Sequence, residues 1–212
     1  MKTDDLILAL SADARQRGPS LSARVALALA LGGCVSLAVF MTMLGPRPDF
    51  MPAMHTVRFD LKFLDTLALL TPAFLLCLRL SRPEVRARTM LMWLLAPVVL
   101  LAAAVAVELA TVPNDLWMRR IIGRNWYHCL SLVPLLSLPP LAAMILALRA
   151  GAPRYPALTG ALAGLAAAGV AATIYATNCT DDSPLFVATW YPISTSAVAG
   201  LGALAGRRWL AW

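Results

Sequence analysis

Two short polar stretches set thiols beside groups that can tune them. Asn125-Trp126-Tyr127-His128-Cys129 opens one apolar run, and Asn178-Cys179-Thr180-Asp181-Asp182 closes the next. If both runs cross a bilayer they are antiparallel, and the start of one lies at the same surface as the end of the other. Cys129 and Cys179 are then candidates for a structural disulfide, a reducible sensor pair or a thiolate metal site. His128 adds an imidazole next to Cys129, and Asp181 and Asp182 add carboxylates after Cys179. Cys129, Cys179 and His128 are a conceivable soft-metal set, although lone cysteines this far apart match no metal motif. Cys34 and Cys77 lie within apolar runs, where a free cysteine acts as a small buried hydrophobe.

A second group is ionisable. Asp60, Lys62 and Asp65 begin one apolar run, Glu108 ends another, and His128 begins a third. Charge at this depth is costly unless paired or wet. Taken singly, each reads as a side chain reaching the membrane boundary. Lys62 is a candidate ion-pair partner of Asp65 or Glu108, and His128 of Glu108. Together they suggest a polar pocket at one end of the molecule.

The elements that position these residues are membrane helices. Of 212 residues, 60% are hydrophobic and 14% charged, far from the quarter charged of a soluble domain. Apolar residues fall into runs near the ~20 residues that span a hydrocarbon core. Six are expected: Val25–Leu44, Leu61–Leu80, Met90–Ala110, Trp126–Leu148, Pro156–Thr177 and Leu185–Ala205. Leu and Ala dominate them, which favours helices over the alternating pattern of barrel strands. Internal prolines Pro72, Pro97, Pro134, Pro139 and Pro140 are expected to kink their helices. Gly160 and Gly164 form a small-xxx-small pattern that lets helices approach closely.

An even number of spans puts both termini on one side. That side carries twelve Lys and Arg residues and the other six: Arg47, Arg58, Lys62, Arg119, Arg120 and Arg124. The positive-inside rule makes both termini cytoplasmic. The net charge of +7 thereby reflects topology, and no direct nucleic-acid partner is expected. The fold class is an all-α membrane protein of six transmembrane helices, with residues 1–22 as a cytoplasmic segment and 23–212 as the membrane domain. In that segment Thr3 can cap a short helix with Asp4 and Asp5 in its first turn. Leu6, Ile7, Leu10 and Ala14 share one face, and Gly18-Pro19 ends it. Such a helix is marginal by itself in water, so it either anchors to the bilayer or docks on a partner.

No Walker, zinc-hydrolase, nucleophile-elbow or Rossmann pattern is present. No catalytic residue and no cofactor are assigned, and the chain does not read as an enzyme. A small transporter using Asp60, Lys62, Asp65 and Glu108 is the alternative. Its ionisable groups would be expected nearer the midplane.

The chain resembles the NrsF-type anti-sigma factors, six-span proteins of the bacterial inner membrane. The resemblance rests on Met1-Lys2-Thr3-Asp4-Asp5-Leu6-Ile7, Trp126-Tyr127-His128-Cys129 with Pro134, and Leu148-Arg149-Ala150-Gly151-Ala152-Pro153. It continues through Gly160-Ala161-Leu162-Ala163-Gly164, Asn178-Cys179 with Asp182 and Ser183, Phe186-Val187-Ala188-Thr189-Trp190-Tyr191, and Gly206-Arg207-Arg208. Family members often carry His before the second cysteine, where this chain has Asn178. The resemblance implies a partner, an extracytoplasmic-function sigma factor, held through Asp4, Asp5, Leu6, Ile7 and Leu10. It also implies that Cys129 and Cys179 form an outer-face sensor pair for oxidant or heavy metal, with His128, Asp181, Asp182 and Glu108 as neighbours. Heavy metal would act as a signal, not as a resident cofactor.

Overall fold

The computed structural model describes Thr3, residues 19–82 and residues 91–211. The expected sigma-binding residues Asp4, Asp5, Leu6, Ile7 and Leu10, and the loop arginines Arg86 and Arg88, lie outside them. Among the described residues every regular element is helical. In chain order these are α1 (Leu21–Met43), α2 (Phe50–Ala53), α3 (Val57–Leu80), a 3-10 turn (Leu91–Leu94), α4 (Leu95–Thr111), a second 3-10 turn (Asn114–Leu116), α5 (Trp117–Ile122), α6 (Trp126–Leu148), α7 (Pro156–Ala176) and α8 (Pro184–Trp209).

Five segments are long and apolar enough to cross a membrane: Leu21–Met43, Val57–Leu80, Met92–Thr111, Asn114–Leu148 and Pro156–Ala176. The sixth expected run forms α8, whose 26 residues are long enough to span. It is less apolar, because Thr189, Ser194, Thr195 and Ser196 interrupt it. Two of those hydroxyls are spent on the helix's own carbonyls: Thr189 Oγ1 donates to Leu185 O at 2.8 Å, and Ser194 Oγ to Trp190 O at 2.9 Å.

α7 is the centre of the bundle. Leu162, Ala163, Ala166, Ala167, Ala168, Ala171 and Ala172 are all buried, so most of its circumference faces other helices. Its small residues bring α8 into backbone contact: a Cβ on Gly160 would lie 2.1 Å from Gly202 O. Without a hydrophobic drive between helices in lipid, such close contact is the main source of association. By contrast α1 buries only the narrow stripe Val25, Gly32, Ser36 and Phe40. Its other side, including Leu27, Leu31 and Val35, is exposed apolar surface suited to lipid. Cys34 falls on that side and is exposed, contrary to the buried position expected of it, whereas Cys77 is buried.

Two of the prolines are accommodated by their local surroundings. Pro97 is the third residue of α4, in the first turn, where a missing N–H costs no intrahelical bond. Pro140, inside α6, removes the N–H that would bond to Leu136 O. Ser36 of α1 replaces it, its Oγ donating to Leu136 O at 2.6 Å.

Candidate functional site

Cys129 and Cys179 occupy the same end of the bundle. Cys129 is the fourth residue of α6, and Cys179 lies just past the end of α7. Both thiols are free and buried, and both belong to one core cluster with Phe40, Tyr175, Phe186, Val187 and Tyr191. Cys129 Sγ lies 3.7 Å from Ser194 Oγ, whose single hydrogen is shared between Trp190 O at 2.9 Å and Cys129 O at 3.2 Å. Burial pushes the Cys179 thiol above the ordinary thiol range, and the nearby Lys62 ammonium opposes that shift. At neutral pH Cys179 is therefore a protonated, poorly nucleophilic thiol.

The segment carrying Cys179 is held by a network of ions. Lys62 is 1% exposed; its Nζ lies 2.5 Å from Asp182 Oδ1 and donates to Cys179 O at 2.8 Å. Arg47, 8% exposed, bonds Asp182 Oδ2 at 2.9 Å, Asp49 Oδ2 at 2.5 Å and Cys179 O at 3.3 Å. Hydrogen bonding to Arg47 holds the Asp49 carboxyl below its usual range. The same bonding keeps the Arg47 guanidinium more firmly protonated. Arg47 N also donates to Thr177 O, and Asn178 Nδ2 to Gly45 O, so the loop after α1 is stitched to the loop after α7.

Asp181 faces the other way, onto the start of α6. Its Oδ2 accepts from Arg124 N at 2.9 Å, Asn125 N at 2.8 Å and Asn125 Nδ2 at 3.0 Å. It thus caps a helix whose own N-cap residue, Asn125, makes no side-chain capping bond. Gly123 makes the approach possible: its φ is +61°, and a Cβ there would meet Phe186 Cδ2 at 2.4 Å and Asp181 Cγ at 2.9 Å.

Glu108, 2% exposed, completes the group. It pairs with Arg58 Nη2 at 2.9 Å and with Arg120, and accepts from Ser183 Oγ at 3.1 Å. A cleft of about 440 Å³ opens beside these residues, lined by Arg58, Arg119, Arg120, Arg124, Asp181 and Asp182.

Several expected pairings differ. Lys62 bonds Asp182, not Asp65 or Glu108, because Asp182 is delivered onto it by the short α7–α8 connection. It does not reach for the membrane boundary; it is buried. His128 does not reach Glu108, which is taken by the two arginines; its ring lies against Tyr127, centroids 4.0 Å apart. Among the described residues no three His, Cys, Asp or Glu side chains converge on a shared metal position, so Cys129, Cys179 and His128 are not assembled as a ligand set. Arg47, Asp49, Arg58, Arg120 and Ser194 were not singled out from the sequence as parts of a site. The signal for the charged ones was the near balance of acids and bases at this one end of an otherwise basic chain.

The chain is 37% identical to the anti-sigma-F factor NrsF of Caulobacter vibrioides over 216 residues, covering all of both chains. It is 32% identical to the probable anti-sigma-F factor NrsF of Azospira oryzae, again over the whole of both. No solved structure gives a significant match. Residues 10–212 match the family NrsF, described as negative regulator of sigma F, and the chain belongs to that family.

Proposed function

We propose that this chain is a membrane-bound anti-sigma factor with six spans and both termini in the cytoplasm of a bacterial inner membrane. It holds an extracytoplasmic-function sigma factor through its N-terminal segment and releases it when the Cys129–Cys179 pair is modified at the periplasmic face. The observation that carries this reading is the pair itself: two free thiols in one buried cluster, capped by the Lys62–Asp182–Arg47 network.

A two-electron oxidant such as a peroxide would take both thiols to a disulfide, accepting two electrons and two protons. A soft metal ion would instead displace the two thiol protons and bind both sulfurs. Either change alters the volume and charge beneath the network. Moving the partner from mostly bound to mostly free requires ~5.5 kcal/mol of differential stabilisation; a disulfide supplies about 2–4 kcal/mol of that, and thiolate–metal binding can supply about 10 kcal/mol or more.

Co-purification tests the regulatory part. The full-length protein should bring down a sigma subunit of RNA polymerase, and replacing Leu6, Ile7 and Leu10 by Glu should free it while leaving the protein in the membrane. Unchanged co-purification would reject the N-terminal segment as the binding element. Mass-tag alkylation with and without reductant reads the cysteine pair before and after oxidant. A Cys129→Ser, Cys179→Ser double variant that still releases its partner to every inducer would reject the sensor.

A further inference from the structure

Four arginines line the cleft of about 440 Å³ beside the Cys179 loop, and they come from three parts of the chain. Arg58 belongs to α3, Arg119 and Arg120 to α5, and Arg124 to the turn into α6. Like charges gathered in one cleft repel one another unless negative charge answers them.

The protein answers only part of that charge. Glu108 takes an ion pair from both Arg58 and Arg120. Asp181 lines the cleft, but its Oδ2 is occupied by N–H donors of Arg124 and Asn125. Asp182 is matched, with Asp49, by Lys62 and Arg47. Arg119 and Arg124 are exposed, and among the described residues neither side chain forms an ion pair. Four guanidinium charges set against Glu108 and Asp181 leave an excess of two. The Thr180 hydroxyl, on the same wall, accepts from Asn125 Nδ2 and keeps its own hydrogen to donate.

We propose that this cleft binds a phosphate monoester group, held by Arg119 and Arg124 with Arg58, Arg120 and Thr180 as further donors. Such a group carries about −1.5 to −2 at neutral pH, which matches the excess. The planar guanidinium fork suits phosphate oxygens, and its remaining N–H groups stay free when one edge is paired with a carboxylate. The cleft has room for a phosphate carried on a larger molecule. Beside it, Met118 and Ile122 of α5 are 67% and 48% exposed, an apolar rim on which acyl chains can lie. The phosphate is therefore either free in water or the headgroup of an anionic lipid. The site does not depend on the cysteines being a sensor.

Thermal unfolding of the full-length protein in an uncharged detergent tests it, at neutral pH and equal ionic strength. Inorganic phosphate is compared with chloride, and dihexanoyl phosphatidic acid with dihexanoyl phosphatidylcholine. At least one phosphate source should raise Tm over its control by about 5–10 °C at roughly a hundredfold excess over its dissociation constant. A shift with both probes, or with inorganic phosphate alone, supports the site with a free phosphate as sufficient ligand. A shift with phosphatidic acid alone supports it with a lipid as the source. No shift with either overturns the proposal. The Arg119→Gln, Arg124→Gln double variant should lose the shift while its Tm in chloride stays at or above that of wild type, because two unanswered charges are gone. A full shift retained in that variant overturns the site, and a fall of its Tm in chloride overturns the premise that these arginines lack partners. If the double variant fails to fold, Arg119→Gln alone should still move the midpoint to higher phosphate concentration, and an unchanged midpoint overturns its role.

Discussion

Lys62 and Asp182 are 117 and 3 residues from Cys179 along the chain, and they meet over it: Lys62 Nζ lies 2.5 Å from Asp182 Oδ1 and 2.8 Å from Cys179 O. Removing the carboxylate's charge leaves Lys62 without its ion-pair partner and Arg47 with Asp49 alone. Asp182→Asn should therefore loosen the loop after α7 by local opening. The expected outcome is maleimide labelling of Cys179 faster by about tenfold or more, since each ~1.4 kcal/mol taken from the opening free energy is a factor of ten. Labelling at the wild-type rate would show that the ions do not guard the thiol.

The Cys179 thiol also makes a pH prediction. Its pKa in the fold is raised, chiefly by burial, so the folded state holds this proton where the unfolded chain has lost it. The stability tied to it is fully present below the ordinary thiol value of ~8.5 and is lost as pH climbs from there toward the folded value. Wild type should lose stability over that range more steeply than Cys179→Ser. Identical pH profiles would contradict this. Asp49 has the opposite sign: its lowered pKa supplies stability above the ordinary carboxylate range that fades as pH falls toward the folded value.

Ser36→Ala should cost about 1 kcal/mol, because it leaves Leu136 O without the donor that Pro140 cannot supply. In a chain of this size that lowers Tm by roughly 2–4 °C. In a Pro140→Ala background the helix provides its own N–H, and the cost of Ser36→Ala should largely vanish. A penalty of equal size in both backgrounds would mean the hydroxyl matters for another reason.

Two glycines of the central pair should respond oppositely to an added side chain. Gly160→Val forces α7 off Gly202 of α8 and should cost about 1–3 kcal/mol or more by overpacking. Gly200→Ala on α8 meets nothing within 4 Å and should be neutral or slightly stabilising. Thermal unfolding in detergent reads both, and a harmless Gly160→Val would refute the close α7–α8 contact.

The helices and the meeting of the two cysteine segments were legible in the sequence because hydropathy runs and antiparallel order are local signals. The partner choices were not. Lys62 had Asp65 and Glu108 as its candidate partners, and only the fold of the short α7–α8 connection brings Asp182 to it. Arg47 read as a loop charge, since nothing near it in sequence marks Cys179 O and Asp182 as its targets. The exposure of Cys34 likewise depended on which side of α1 meets α6, and a helix apolar on all sides conceals that.

Arg47 and Lys62 both grip residue 179 by its main-chain carbonyl. The clamp is therefore indifferent to the identity of the side chain it holds. Sulfur can be oxidised, metallated or exchanged for oxygen at that point while the backbone keeps its address. Placement and reactivity are inherited from different atoms of the same residue, so one can be altered without forfeiting the other.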